Sequence, residues 1–110
     1  YENNLKSFWS QKSNLNILSS FGYATFVKNR LQVYKYLKSN KIQCRPLICG
    51  NIGHQPFVKQ NLKRNFKLIN AKFVDENGIY LPNHTNLSLK DIDFISKKFL
   101  DVAQPIYFND

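Results

Sequence analysis

The sequence predicts a small α+β domain (the α/β class in the broad sense), with about three strands in one sheet covered by helices. Three runs read as strands, the first rich in aromatic and β-branched residues and the other two closed by proline, and segments of helical apolar spacing fall between and after them. Strands that alternate with helices build layers rather than a sandwich or a bundle. At 110 residues the chain is one domain, and 43% hydrophobic with 15% aromatic residues suffices for a modest core. Disorder through low hydrophobicity is excluded.

The elements follow in order. "NLNILSSFGYATFV" (14–27) becomes aromatic and β-branched toward its end and reads as a long strand. "KNRLQVYKYLKSNK" (28–41) reads as a helix with Leu31, Tyr34 and Leu37 on one face, and Lys35, Lys38 and Lys41 suit the negative pole of its dipole. "IQCRPL" (42–47) is a short strand stopped by Pro46, and "CGNIGHQP" (49–56) is a loop. "FVKQNLKRNF" (57–66) and "KLINAKFVDENG" (67–78) are two helices, the second ending on Gly78 as a left-handed cap. "IYLP" (79–82) is the third strand. In the last helix Ser88 is the N-cap, Asp91 completes a capping-box variant, and Leu89, Ile92, Phe99 and Val102 face inward. The tail breaks at Pro105. Strand order stays open.

The chain has no methionine and opens on "YENNLKSFW", patterned like the last turns of a helix, so it reads as a piece of a longer protein. Sixteen Lys+Arg against seven Asp+Glu give +9, which suits a polyanion, an anionic membrane or an anionic small molecule. The excess is scattered lysine, which reads first as a solvated surface. Cys44 and Cys49 make no disulfide framework, and His54 and His84 stand in no known metal-ligand spacing, so no metal is expected. Small buried thiols are the simpler account. "NHT" at Asn83 and "NLS" at Asn86 match the glycosylation triplet, as chance allows in so asparagine-rich a chain. The longest uncharged run, 13–27, is too short and polar for a bilayer, and no signal peptide is visible.

Catalytic signatures are missing. "GNIG" lacks the spacing and the lysine of a phosphate-binding loop, and Cys44 or Cys49 with His54 as base rests on nearness in sequence alone. An RNA-binding module is the rival from another class. Gly22, Tyr23 and Ala24 match part of the aromatic strand motif of RNA-recognition domains, whereas Phe21, Thr25 and Phe26 break it. Aromatics facing a core explain the strand more simply.

Three stretches in order, "SSFGYATFVKNR" (19–30), "IQCRPLICGNIGHQPF" (42–57) and "GIYLPNHTNLSLKDIDFI" (78–95), together resemble the C-terminal subdomain of the DegT/StrS family of nucleotide-sugar aminotransferases. The similarity covers about 15–99, and "G-I-Y-L-P-N-H-x-x-L-S-x-x-D-I" is its most specific part. It implies that residues 1–110 are the small C-terminal domain of a type I aminotransferase fold. It further implies pyridoxal phosphate (PLP), held as a Schiff base by a lysine of a large N-terminal domain outside this sequence. The implied reaction moves an amino group from glutamate to a nucleotide-linked keto sugar for surface polysaccharide such as lipopolysaccharide. The implied enzyme is a cytoplasmic homodimer without nucleic-acid or membrane partners.

On that resemblance no residue here is catalytic or binds the cofactor, and the chain alone should be inactive. Many members carry "PLH" before "QP", where this chain has "RPLICGNIGHQPF", a form shared with related sugar 3-dehydrases that replace the lysine by histidine. Aminotransferase and dehydrase therefore both stand, the former being the commoner. As substrate-binding residues the loop offers Arg45, Asn51 and His54. Arg45 presents a planar fork to phosphate or carboxylate, or pairs with an acid of its own chain. Asn51 donates to and accepts from sugar hydroxyls, or caps a turn. His54 meets an anion or a dimer contact, or lies on the surface. Gly50 and Gly53 let the backbone approach a ligand or take positive φ. Tyr80 and Pro82 read as structural.

Overall fold

The structure, a computed structural model, describes residues 1–14, 20–47, 50–62 and 67–108. Its sheet has three antiparallel strands in the order β1-β3-β2, with β1 at Gly22–Phe26, β2 at Arg45–Pro46 and β3 at Gly78–Pro82. The strand formed last in sequence therefore lies in the middle. Its neighbours place Arg45 and Ala24 on either side of Tyr80, and Thr25 and Pro46 on either side of Ile79. Pro46 can sit in β2 because that strand is an edge, where a missing N–H breaks no ladder. The helices are α1 (Arg30–Ser39), α2 (Pro56–Leu62), α3 (Ile69–Asn77) and α4 (Leu89–Leu100). The α+β class and the three strands agree with the sequence. Part of the long first strand and the end of the "FVKQNLKRNF" helix fall on 15–19 and 63–66, outside the described residues.

Side chains alternate along a strand, so β3 has two different faces. Ile79 and Leu81 point into the core, where they meet Val33 and Leu37 of α1, Ile95 and Phe99 of α4, and Leu5 and Phe8 from the chain start. Phe99 is fully buried with an edge-on contact to Phe8, ring centroids 4.9 Å apart. Burying such a side chain contributes roughly 1.5–3 kcal/mol. The start of the chain forms turns rather than helix, with the Asn4 and Leu5 amides both bonding the Tyr1 carbonyl at 2.9 Å.

Two inward faces differ from expectation. In α1 the buried pair is Val33 and Leu37, one turn apart, whereas Leu31 is 66% exposed. In α4 the line is Ile92, Ile95, Phe99 and Val102, with Ser96 beside it, and Leu89 is 83% exposed. Leu31 and Leu89 both lie in the first turn of their helices, where the chain has just left the surface, and spacing alone cannot show this. The Ser88–Asp91 capping box is present: Ser88 Oγ accepts from the Asp91 amide at 3.2 Å, and Asp91 Oδ2 accepts from the Ser88 amide at 2.8 Å. Asn29 begins α1 without capping it. Its side chain instead donates to the Val102 carbonyl at 2.8 Å and accepts from the Gln104 amide at 3.0 Å, tying that helix to the tail.

Gly78 is also corrected. Its φ of −77° and ψ of 135° make it the first extended residue of β3, not a left-handed cap. Glycine is required there for space: a Cβ would lie 2.6 Å from the Val74 carbonyl oxygen and collide with the Leu47 side chain. The tight junction lets α3 run directly into β3 while the residue after β2 packs on it, the Leu47 amide bonding the Gly78 carbonyl at 3.2 Å.

Candidate functional site

The outward row of the sheet is Ala24, Tyr80 and Arg45, with Gly22 opposite Pro82 one step along. Toward α3 this side is covered: Phe26 meets Trp9 at 4.6 Å and Phe73 at 5.1 Å between ring centroids. Away from α3 it opens into a groove bordered by Phe21, Tyr80, Arg45, Cys44 and His84. Phe21 is 81% exposed and stands edge-on to Tyr80 with centroids 6.1 Å apart. Among the described residues Arg45 is exposed and makes no ion pair, so its guanidinium is available to a ligand. Pairing with an acid, the rival role for this arginine, is not seen among them.

The loop beyond β2 is built around Asn51. It heads a 3-10 turn at Ile52–His54, and its Oδ1 accepts from the Gly53 amide at 3.0 Å. Asn51 is 1% exposed and its Nδ2 has no partner among the described residues. Its visible contact is thus with the loop itself, as a turn cap. Gly50 precedes it with φ +69°, and a Cβ there would sit 2.5 Å from Asp75 Oδ1, so the loop rests against α3. Pro56 opens α2 at the first helical position, where no N–H is needed. His54 is exposed on the turn. Of the three sequence candidates only Arg45 lines the groove; Asn51 and His54 do not join it there.

Burial pushes the Cys44 thiol up to about 11, so it is protonated at neutral pH and is no nucleophile. Cys49 lies outside the described residues. Tyr23, the stacking candidate of the RNA reading, turns toward the core and stacks on Tyr1 at 4.9 Å. No group of three His, Cys, Asp or Glu among the described residues could hold a metal, and no described helix is long and apolar enough to cross a membrane.

Phe21, Tyr80 and His84 border the groove without having been singled out as ligand residues. The alternation Ile79-Tyr80-Leu81 held the signal for Tyr80, since two inward aliphatics leave the residue between them outward. Its position beside Arg45 depends on β2–β3 register, which a sequence does not state.

The fold is an α+β domain that matches part of a solved structure with bound PLP. No protein-family model matches the chain. In sequence it is similar to GDP-4-keto-6-deoxy-D-mannose 3-dehydratase of Escherichia coli O55:H7 (strain CB9615 / EPEC), with 29% identity over 84 residues, 70% of this chain and 22% of that protein. In fold it matches the solved structure of the E. coli GDP-4-keto-6-deoxy-D-mannose-3-dehydratase with bound hydrated PLP, at TM-score 0.74 and 24% identity, covering 89% of this chain and 28% of that one. The chain thus spans about a quarter of the proteins it matches. Both findings agree with the DegT/StrS resemblance of the three motifs.

Proposed function

We propose that this chain is the small C-terminal domain of a cytoplasmic, homodimeric PLP enzyme that acts on a nucleotide-linked keto sugar, by dehydration at C3. What supports this most is that one enzyme type, a GDP-4-keto-6-deoxy-D-mannose 3-dehydratase, is similar to the chain both in sequence and in fold. Amino transfer from glutamate, the commoner reaction of the family that the motifs resemble, is the second reading. It differs in whether lysine or histidine faces the cofactor in the large domain.

Among the described residues PLP has no berth. A site for it needs a sheltered carboxylate for the ring nitrogen and a sheltered lysine or phosphate cup. The buried polar residues described here are Thr25, Asn51 and Ser96, none of them charged. The cofactor belongs to the large domain, and the chain's own contribution is to wall the substrate. Arg45 is the substrate-facing group, charged and without an ion pair among the described residues at the edge of the sheet. Asn51 sets the loop that carries His54, and His54 reaches substrate or the neighbouring subunit.

The test is to supply the full-length enzyme with PLP, glutamate and GDP-4-keto-6-deoxy-D-mannose and weigh the products. A sugar dehydrated at C3 supports the proposal, an aminated sugar selects the second reading, and an unchanged substrate contradicts both. The 110-residue chain alone should convert nothing.

A further inference from the structure

Lys41 is the one described non-glycine residue with positive φ, at 61°. It follows α1 in a doubly bonded helix stop: the Lys41 amide donates to the Lys38 carbonyl at 3.0 Å and the Ile42 amide to the Leu37 carbonyl at 3.0 Å. Leu37 and Ile42 are both buried and close the apolar contact of this motif. Glycine is the residue that takes this conformation without strain. The bonds and the contact need no lysine side chain, so the strain is carried for something other than the stop.

The Lys41 side chain lines a groove between the end of α1 and β2 together with Lys38, Arg45 and Tyr34. Three cations and no carboxylate form its described walls. Cations this close repel one another and gain from a multiply charged anion placed between them. The carbonyl end of a helix is a poor neighbour for an anion. Here that effect is blunted, because the carbonyls of Tyr36, Leu37 and Lys38 all accept amides from residues 40–42. Arg45 belongs to this groove and also to the one bordered by Phe21 and Tyr80, so a single ligand can reach from the cations to the aromatic pair.

We infer that Lys38, Lys41 and Arg45 hold the diphosphate of a nucleoside diphosphate, whose base or sugar lies against Phe21 and Tyr80. The inference rests on the nucleotide-sugar reading above. It adds two lysines, a strained backbone position and an aromatic wall that the reading did not contain.

The experiment is a titration of the chain with GDP, guanosine and inorganic pyrophosphate, followed by amide chemical shifts. GDP and pyrophosphate should move the signals of Lys38, Lys41 and Arg45, guanosine should not, and added salt should weaken the response. Lys41→Gly separates charge from folding. It should melt higher by roughly 2–6 °C, since it relieves strain, yet bind GDP roughly three- to tenfold more weakly. Guanosine binding as well as GDP, or GDP binding undiminished in both Lys41→Gly and Arg45→Ala, would overturn the inference. So would single-stranded RNA occupying the same residues more tightly than GDP. If the full-length enzyme leaves nucleotide sugars untouched while pyrophosphate still moves these signals, the enzyme reading fails and the anion groove stands.

Discussion

The two faces of β3 serve different ends within one five-residue strand. Ile79 and Leu81, 0% and 1% exposed, are packed between α1 and α4. Tyr80 between them looks outward, next to the exposed Arg45 and an exposed phenylalanine. Among the described residues α1 and α4 cover one side of the sheet, and α3 with Trp9 and Phe108 covers an end of the other. What is left bare is half apolar and half cationic. Core packing and the proposed ligand contact are thereby separated by a single residue step, so that change on the outward row need not unsettle the core.

The covered side can be broken at its joints. Gly78→Ala has the larger expected effect, because the new Cβ meets a backbone carbonyl that cannot step aside. A loss of about 1–3 kcal/mol in denaturant unfolding is expected, since overpacking forces the α3–β3 junction and Leu47 apart. An unchanged midpoint would show that the junction is looser than described.

A smaller effect belongs to the α4 cap. Hydrogen bonds from the Ser88 hydroxyl and then from its amide hold the Asp91 carboxyl below the usual carboxylate range. A depressed folded value adds stability above the unfolded pKa, and that stability is lost as pH falls through the folded value. Ser88→Ala should therefore lower the melting temperature by roughly 2–6 °C near neutral pH. The gap to the parent protein should narrow below about pH 4, where the carboxylate itself is lost. A gap that stays constant into acid would mean that the carboxylate adds nothing to the cap.

The same contrast shows what the sequence made legible. The α4 cap was visible because Ser88 and Asp91 act over three residues, and the third strand because Gly78 and Pro82 bracket it. Gly78 was given the wrong task, since glycine after a helix serves either a left-handed turn or a tight approach. The Val74 carbonyl and Leu47, the latter thirty-one residues earlier, decide between them. Leu31 and Leu89 were turned inward because helical spacing shows a stripe without its partner. Arg45 is proposed from its chemistry, whereas the places of Tyr80 and Lys41 need strand register and a backbone angle. Asn51 is named for its hydrogen-bonding versatility, and in the structure its Oδ1 accepts within its own loop while its Nδ2 has no partner among the described residues.

The most direct test of the division between the faces is equilibrium unfolding of two neighbouring variants, Ile79→Ala and Tyr80→Ala. The closed face predicts a loss of about 2–5 kcal/mol for Ile79→Ala, through a cavity beneath α1 and α4. The open face predicts a loss of roughly 1 kcal/mol or less for Tyr80→Ala, whose ring keeps one side in water. Equal losses in the two variants would contradict the account, because Tyr80 would then be a core residue and the outward row no ligand surface.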